Sequence, residues 1–372
     1  MHMRQSVMGA LILFGLALTT HSARAEDSLG ETGLRGAGST FAYPLLAHWS
    51  SDYRTWVSQG GEYASAGSGL DDALPSAALE FEASGSLAGI ERVRQRAVDF
   101  AASDVPLSAA EIGSEQLLQF PFVIGGVVVA INIEGHGGGL RLTGPVLARI
   151  FLGSVKSWSD PAITALNPGV ALPDSLIQVV HRSDGSGTTY NFTEYLSRVS
   201  PEWKARAGSA FLVAWPTGIA AKGNDGVAKA VLATRNAIGY VDLGQATQLK
   251  LKHAALQNSA REFVTPSAAS FQAAAAGVDW SATNAFNTSL IDQPGKQAYP
   301  LTTTVFALMH KSPWRERSEA TLDFFRWSLE HGDRAAAQLG YVPLPPGLAR
   351  QVENYWGVVL QARGVATSRN KK

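Results

Sequence analysis

The residues best equipped for chemistry lie at 181–188, where the chain reads HRSDGSGT. Arg182 carries a planar fork of donors that can grip an oxyanion through two parallel hydrogen bonds. Asp184, two residues on, is placed to hold that guanidinium in position. Gly185 and Gly187 remove side chains that would keep an anion away, and Ser186 and Thr188 add hydroxyl donors. Two other turns repeat the mixture. "RGAGSTF" (35–41) contains Gly36, Gly38, Ser39 and Thr40, and "EASGSLAG" (82–89) contains Gly85 and Ser86. Each follows a strand-like run and leads into a helix-like one. A helix N-terminus presents unpaired N–H groups and a partial positive charge, so such a turn binds an anion without needing many cations. Each serine could instead cap its own helix. The recurrence of the design, once beside an arginine, favours the anion cradle.

An acid completes the set. In "VDFAASDVPLS" (98–108), Asp104 falls in the loop after a short strand. A carboxylate repels an anion unless the anion carries a proton that the carboxylate can accept. A fully ionised tetrahedral anion would oppose acceptor to acceptor, which costs more than a missing contact. Asp104 would then select phosphate over sulfate. Its alternative is a turn cap.

Other chemistries fit poorly. A G-x-S-x-G nucleophile turn centred on Ser186 needs glycine where Asp184 and Thr188 stand. A dinucleotide fingerprint beginning at Gly36 needs glycine where Phe41 stands. The eight histidines are scattered, there is no cysteine, and no His/Asp/Glu cluster suggests a metal. No cofactor is expected. His181 is the one histidine beside a motif, and strand alternation would turn it away from Arg182's side.

These groups need elements to hold them. Apolar runs at 122–133, 176–182 and 302–310 read as buried strands, and 79–84 as a further strand. Runs at 144–153, 188–199 and 318–332 read as helices. In the helix after the first turn, Tyr43, Leu46 and Trp49 form the apolar stripe. Alternation of strands with helices predicts an α/β fold with parallel sheets. The Gly-, Ser- and Ala-rich stretch 56–79 reads as an extended surface loop.

The chain has 372 residues, 45% hydrophobic and 17% charged, with no net charge. That is a globular composition without the basic excess of a nucleic-acid binder. Arg4, an apolar run over 7–18 and Ala23-Arg24-Ala25 make a secretory leader of residues 1–25, cut after Ala25. Without cysteine there is no lipid attachment and no disulfide. A soluble protein of a Gram-negative periplasm is the expectation.

The chain resembles the periplasmic phosphate-binding proteins of high-affinity ABC phosphate uptake systems. The resemblance rests on "GAGSTFAYPLLAHW", "VDFAASDVPLS", "QFPFVIGGVVVAINI", "IFLGSVKSWSDPAITALNPG", "HRSDGSGTTYNFTEYL", "KGNDGVAKAV" and "AIGYV", in family order over nearly the whole mature chain. It implies a two-lobed type II periplasmic binding protein fold, a hinge, and phosphate held dehydrated in the interlobe cleft. The implied phosphate ligands are Thr40, Phe41 (through its N–H), Ser86, Asp104, Arg182, Ser186, Gly187 and Thr188, with Asp184 orienting Arg182. Lobe one would comprise 26–124 plus 304–372 and lobe two 125–303, with crossings near 121–127 and 301–304. The implied partners are inorganic phosphate and an inner-membrane ABC permease with its ATPase complex, served by a monomer. The 56–79 stretch is longer than the family's usual link, and "SGSLAG" is poorer in Ser and Gly than many members. Two rivals stay open: a site for another oxyanion or a phosphonate, and a sensory or adhesive role.

Overall fold

The computed structural model describes residues 33–61, 79–135, 137–311 and 315–368. The leader lies outside the described residues, as do residues 62–78 of the Gly/Ser/Ala-rich stretch. The beginning of that stretch is not loop: Trp56, Val57 and Ser58 complete the helix Tyr43–Ser58.

One large mixed sheet organises the fold. Its strands are β1 (Leu34–Gly38), β2 (Leu79–Glu82), β3 (Phe100–Ser103), β4 (Leu117–Asn132), β6 (Gln178–Arg182), β7 (Ile219–Ala221), β8 (Ala237–Asp242), β9 (Lys252–His253) and β12 (Thr302–His310). Their order is β2-β1-β3-β12-β4-β8-β6-β7, with β9 also paired to β4. A small separate sheet joins β5 (Arg141–Leu142), β10 (Ala255–Gln257) and β11 (Phe263–Val264). In the large sheet the expectation of parallel pairing holds only within the flanks. On the first, β1 is parallel to β2 and β3; on the second, β6 is parallel to β7 and β8. The central β12 and β4 run back against their neighbours, so the sheet is antiparallel where the flanks meet.

The sixteen residues of β4 are buried except the last, as an apolar strand covered on both faces should be. The strand changes partner midway. It pairs with β12 as far as Gly126, opposite Thr302, and with β8 from Val127, opposite Asp242.

Helices cover both faces. The helix Tyr43–Ser58 buries Leu45, Leu46, Trp49 and Tyr53. Tyr43, expected on that stripe, is exposed at the helix start, where its ring stacks on Phe81. The C-terminal helices Arg315–His331 and Pro346–Ser368 return to the first flank. There Phe325 meets Phe100, Phe120 and Phe122 at centroid distances of 5.0–5.3 Å, and Trp356 meets Phe120 at 4.9 Å. On the second flank Phe192 stacks on Tyr240 at 4.3 Å. Tilted and edge-on aromatic pairs each add about 0.5–1.5 kcal/mol beyond their buried area.

Candidate functional site

The site forms at the carboxyl ends of β1, β3 and β6, where an open α/β sheet ordinarily gathers its ligand residues. β6 ends on Arg182, which is 1% exposed. Its main-chain N–H donates to the Tyr240 hydroxyl at 3.1 Å. Its guanidinium lies against Asp184: Nε donates to Oδ1 at 2.7 Å and Nη2 donates to Oδ2. Nη1 donates to Asn224 Oδ1 at 3.0 Å. Three of the five guanidinium N–H groups are thereby used, and one remains on each terminal nitrogen. Those two form the fork that a tetrahedral oxyanion accepts bidentately. Burial pushes the Asp184 carboxyl up, but the Arg182 hydrogen bonds and charge, with the Gly223 N–H at 2.9 Å, carry it below the usual carboxylate value.

Asp104 follows β3 and is 2% exposed. Among the described residues no cation pairs with it directly. Ser39 Oγ donates to Oδ1, and Thr188 Oγ1 donates to Oδ2 at 2.9 Å. Burial raises its pKa; the two hydroxyl bonds and the charge of Arg182 offset that only in part. Its carbonyl oxygen accepts from Asn191 Nδ2 at 2.8 Å and Thr303 Oγ1 at 3.2 Å, which pins the backbone there.

The three glycine-hydroxyl turns are not built alike. Ser186 is an N-cap: its Oγ accepts the Thr189 N–H at 3.0 Å at the start of the helix Gly187–Val199. Ser39 caps a turn instead, accepting the N–H groups of Phe41 and Ala42, each at 3.1 Å, because the helix begins only at Tyr43. Ser86 caps nothing. It is the first residue of the helix Ser86–Arg94, and its Oγ accepts the Asp104 N–H at 3.4 Å. Gly85 before it has φ 95°, a conformation that favours glycine.

The two flanks touch here directly. Thr40 Oγ1 accepts the Asn224 N–H at 3.2 Å, and the Leu87 N–H donates to Gly185 O at 3.2 Å. A Cβ on Gly187 would stand 2.5 Å from Ser86 Oγ and 2.8 Å from Asp104 Cβ. Thr40, Phe41, Ser86, Asp104, Arg182, Asp184, Ser186, Gly187 and Thr188 therefore meet in one place. All are buried except Thr40 and Asp184, which are half-buried. The Phe41 N–H is donated to Ser39 here, while its ring packs edge-on against Tyr341. Leu87 spans the gap to Gly185. His181 stacks on Trp215 at 4.9 Å.

Sequence reasoning gave no role to Asn224, Asn191, Thr303 or Tyr240. Asn191 was within reach, since it stands four residues after Gly187 on the same helix face. Asn224 lies in the "KGNDGVAKAV" segment, but nothing in that segment points to Arg182. A cavity of about 350 Å³ borders Asp104, lined also by Glu111, Tyr190, Glu194 and Thr303. It offers carboxylates and no lysine or arginine, which distinguishes it from the cluster around Arg182.

Comparison with known proteins agrees with this architecture. A family model described as a PBP superfamily domain matches residues 19–331. The phosphate-binding protein PstS of Xylella fastidiosa strain 9a5c is 46% identical over 344 residues, 92% of this chain and 89% of that one. The solved phosphate-binding protein of Stenotrophomonas maltophilia superposes with a TM-score of 0.63 at 21% identity, over 86% of this chain and 93% of that one. An ABC-type phosphate transport receptor from Vibrio cholerae superposes with a TM-score of 0.52 at 18% identity, over 84% of this chain and all of that one. Such structural neighbours share the two-lobed periplasmic binding protein fold. A binding protein and not an enzyme, the chain belongs to the PBP superfamily and, within it, to the PstS phosphate-binding proteins.

Proposed function

We propose that this protein binds inorganic phosphate between the two flanks of its sheet and delivers it to an ABC-type import permease with its ATPase complex. The observation that carries the reading is the pairing of opposite demands in one buried site. Arg182 keeps two N–H groups for an anion, and Asp104, nearby, can accept a hydrogen bond from a proton that the anion carries. Thr40, Ser86, Ser186, Gly187 and Thr188 supply the surrounding hydroxyl and main-chain groups, and the Phe41 N–H, donated to Ser39 in this structure, would have to turn to the ligand to join them. Asp184 orients Arg182.

The lobes of this reading are residues 26–124 with 304–372, and 125–303. The change of β4's partner between Gly126 and Val127 and the packing of the C-terminal helices on the first flank support that division. Ligand groups come from both lobes, so only a closed form satisfies them all. Phosphate would then shift the population toward closure, the hinge motion that periplasmic binding proteins undergo. A permease can distinguish the loaded shape from the empty one. The protein acts as a monomer in the periplasm, exported by its 1–25 leader. In keeping with that, no helix among the described residues is long and apolar enough to cross a membrane.

Isothermal titration of the ligand-stripped protein with phosphate, then sulfate, at matched ionic strength tests the reading. Tight phosphate binding without a sulfate response is expected. Equal binding of both, or of sulfate alone, would replace phosphate by a general oxyanion and remove the selecting role of Asp104.

A further inference from the structure

Asn224 is fully buried near the start of the helix Gly223–Ala233 and bonds to both ends of the site. Its amide cannot be turned round. A guanidinium only donates, so Oδ1 must face Arg182 Nη1, at 3.0 Å. Nδ2 then points to Thr188 Oγ1, at 3.5 Å. A hydroxyl has one proton. With a donor already aimed at its oxygen, Thr188 directs that proton to Asp104 Oδ2, at 2.9 Å. Ser39 is held in the same sense by different means. Its oxygen accepts the N–H groups of Phe41 and Ala42, so its proton goes to Asp104 Oδ1. One of the two hydroxyls on Asp104 is thus locked by the main chain, the other by a single side chain.

We propose that Asn224 is a positioning residue for ligand selection, holding the Arg182 fork in place and locking the Thr188 hydroxyl as a donor to Asp104. The proposal rests on the phosphate reading above. A hydroxyl that donates to a carboxylate favours the ionised form, which here works against the effect of burial. Asp104 thereby stays an acceptor that a protonated oxyanion satisfies and sulfate does not. The Asn224 main-chain bond to Thr40 is independent of the side chain, so substitution of the side chain leaves that link between the flanks in place.

The test is calorimetric titration with phosphate and with sulfate from pH 5 to pH 8, on the wild type, Asn224→Ala, Thr188→Val and the double variant. Asn224→Ala is expected to weaken phosphate binding about tenfold, the scale of one hydrogen bond to a charged group. It should also raise the pH below which sulfate begins to bind, because Asp104 takes up a proton more readily; Asp242, whose charge acts on Asp104 and which titrates in the same range, is common to all four proteins, so the shift is read as their difference. In the Thr188→Val background, Asn224→Ala should bring no further change in that pH. A purely structural role would lower the melting temperature and leave the onset of sulfate binding where it was. Wild-type phosphate affinity with an unmoved sulfate onset in Asn224→Ala overturns the proposal, as does an undiminished shift in the Thr188→Val background. Asn224→Asp, which keeps the acceptor for Arg182 and loses the donor to Thr188, serves if the alanine variant does not fold; because its added charge alone raises the proton affinity of Asp104, the lock is read as a rise in the sulfate onset that is larger in the wild-type than in the Thr188→Val background. A wild type that binds no phosphate at any pH overturns the functional reading itself, and is distinguished by needing no variant.

Discussion

Asp184 and Asp104 stand in one site and are held in opposite ways. Asp184 faces the guanidinium of Arg182 through two charge-assisted hydrogen bonds and lies below its ordinary pKa. Asp104 faces two hydroxyls and lies above it. Burial pushes both carboxyls the same way, so the partner decides the outcome. The first acid orients and neutralises a cation. The second is left with acceptor capacity that, in the proposed reading, a protonated anion would fill. An anion site can hold a carboxylate of each kind because only one of them has its charge compensated from within the protein.

The hardest way to break this contrast is to remove its cation. Arg182→Ala leaves Asp184 as an uncompensated, largely buried charge, a loss of about 3–5 kcal/mol in other proteins. Phosphate affinity should fall more than about a hundredfold, and the melting temperature should fall with it. Adding Asp184→Asn should recover much of the melting temperature and none of the affinity. Recovery of affinity in the double variant would mean that Arg182 serves Asp184 and not the ligand. Titration calorimetry beside thermal melts reads both quantities.

Asp104→Asn sharpens the contrast with a smaller effect. Ser39 must donate, since both sides of its oxygen already receive main-chain N–H groups. The new amide therefore turns its oxygen to Ser39 and its NH2 toward Thr188 and the ligand. A donor then replaces an acceptor where the ligand's proton would lie. The preference for phosphate over sulfate should narrow by about tenfold or more. Competition between the two anions at neutral pH measures it, and an unchanged preference would remove Asp104 from selection.

The sequence carried one part of this contrast and not the other. Arg182, Asp184, Ser186 and Thr188 are neighbours in the chain, so their chemistry shows as a motif, and a strand ending at Arg182 was legible from the apolar run before it. The other two glycine turns pointed to Thr40 and Ser86, and the loop after a short strand to Asp104; the family resemblance added Phe41 and gathered them all into one site. What shows in neither is the direction of each hydrogen bond. Ser39, Ser86 and Ser186 look alike as residues in glycine turns, yet one caps a turn, one caps a helix and one accepts from the Asp104 main chain. That depends on where each helix begins, which differs by a few residues among the three. Asn224 acts from some forty residues beyond Arg182, through a fold that no local pattern encodes. The mixed sheet was missed for a related reason: strand-helix alternation predicts parallel pairs, while β4 and β12 are the long strands along which the flanks meet, and they run against their neighbours.

A third carboxyl extends the comparison with the least consequence for the ligand. Asp242 is fully buried where β4 changes partner. Its Oδ1 accepts the Gln245 N–H at 2.8 Å, and its Oδ2 has no hydrogen-bond partner among the described residues. It has neither the cation of Asp184 nor the paired hydroxyls of Asp104. Burial, chiefly, pushes its pKa up to about 7, with the charge of Asp104 adding to the rise and the Gln245 N–H and Arg182 opposing it. An aspartate in an unfolded chain ionises near pH 3.9 on average, so between about pH 4 and pH 7 the folded chain holds a proton that the unfolded chain has lost. Stability from this group is therefore complete at low pH, falls by up to about 1.4 kcal/mol per pH unit through that window, and levels off above it. Asp242→Asn keeps the acceptor for Gln245 and removes the titration. The melting temperature of the variant relative to wild type, both free of ligand, should rise from pH 5 to pH 8, with phosphate affinity changed less than in either variant above. A difference that stays constant from pH 5 to pH 8 would mean that Asp242 binds no more protons in the folded than in the unfolded chain over that range, against the effect of its burial.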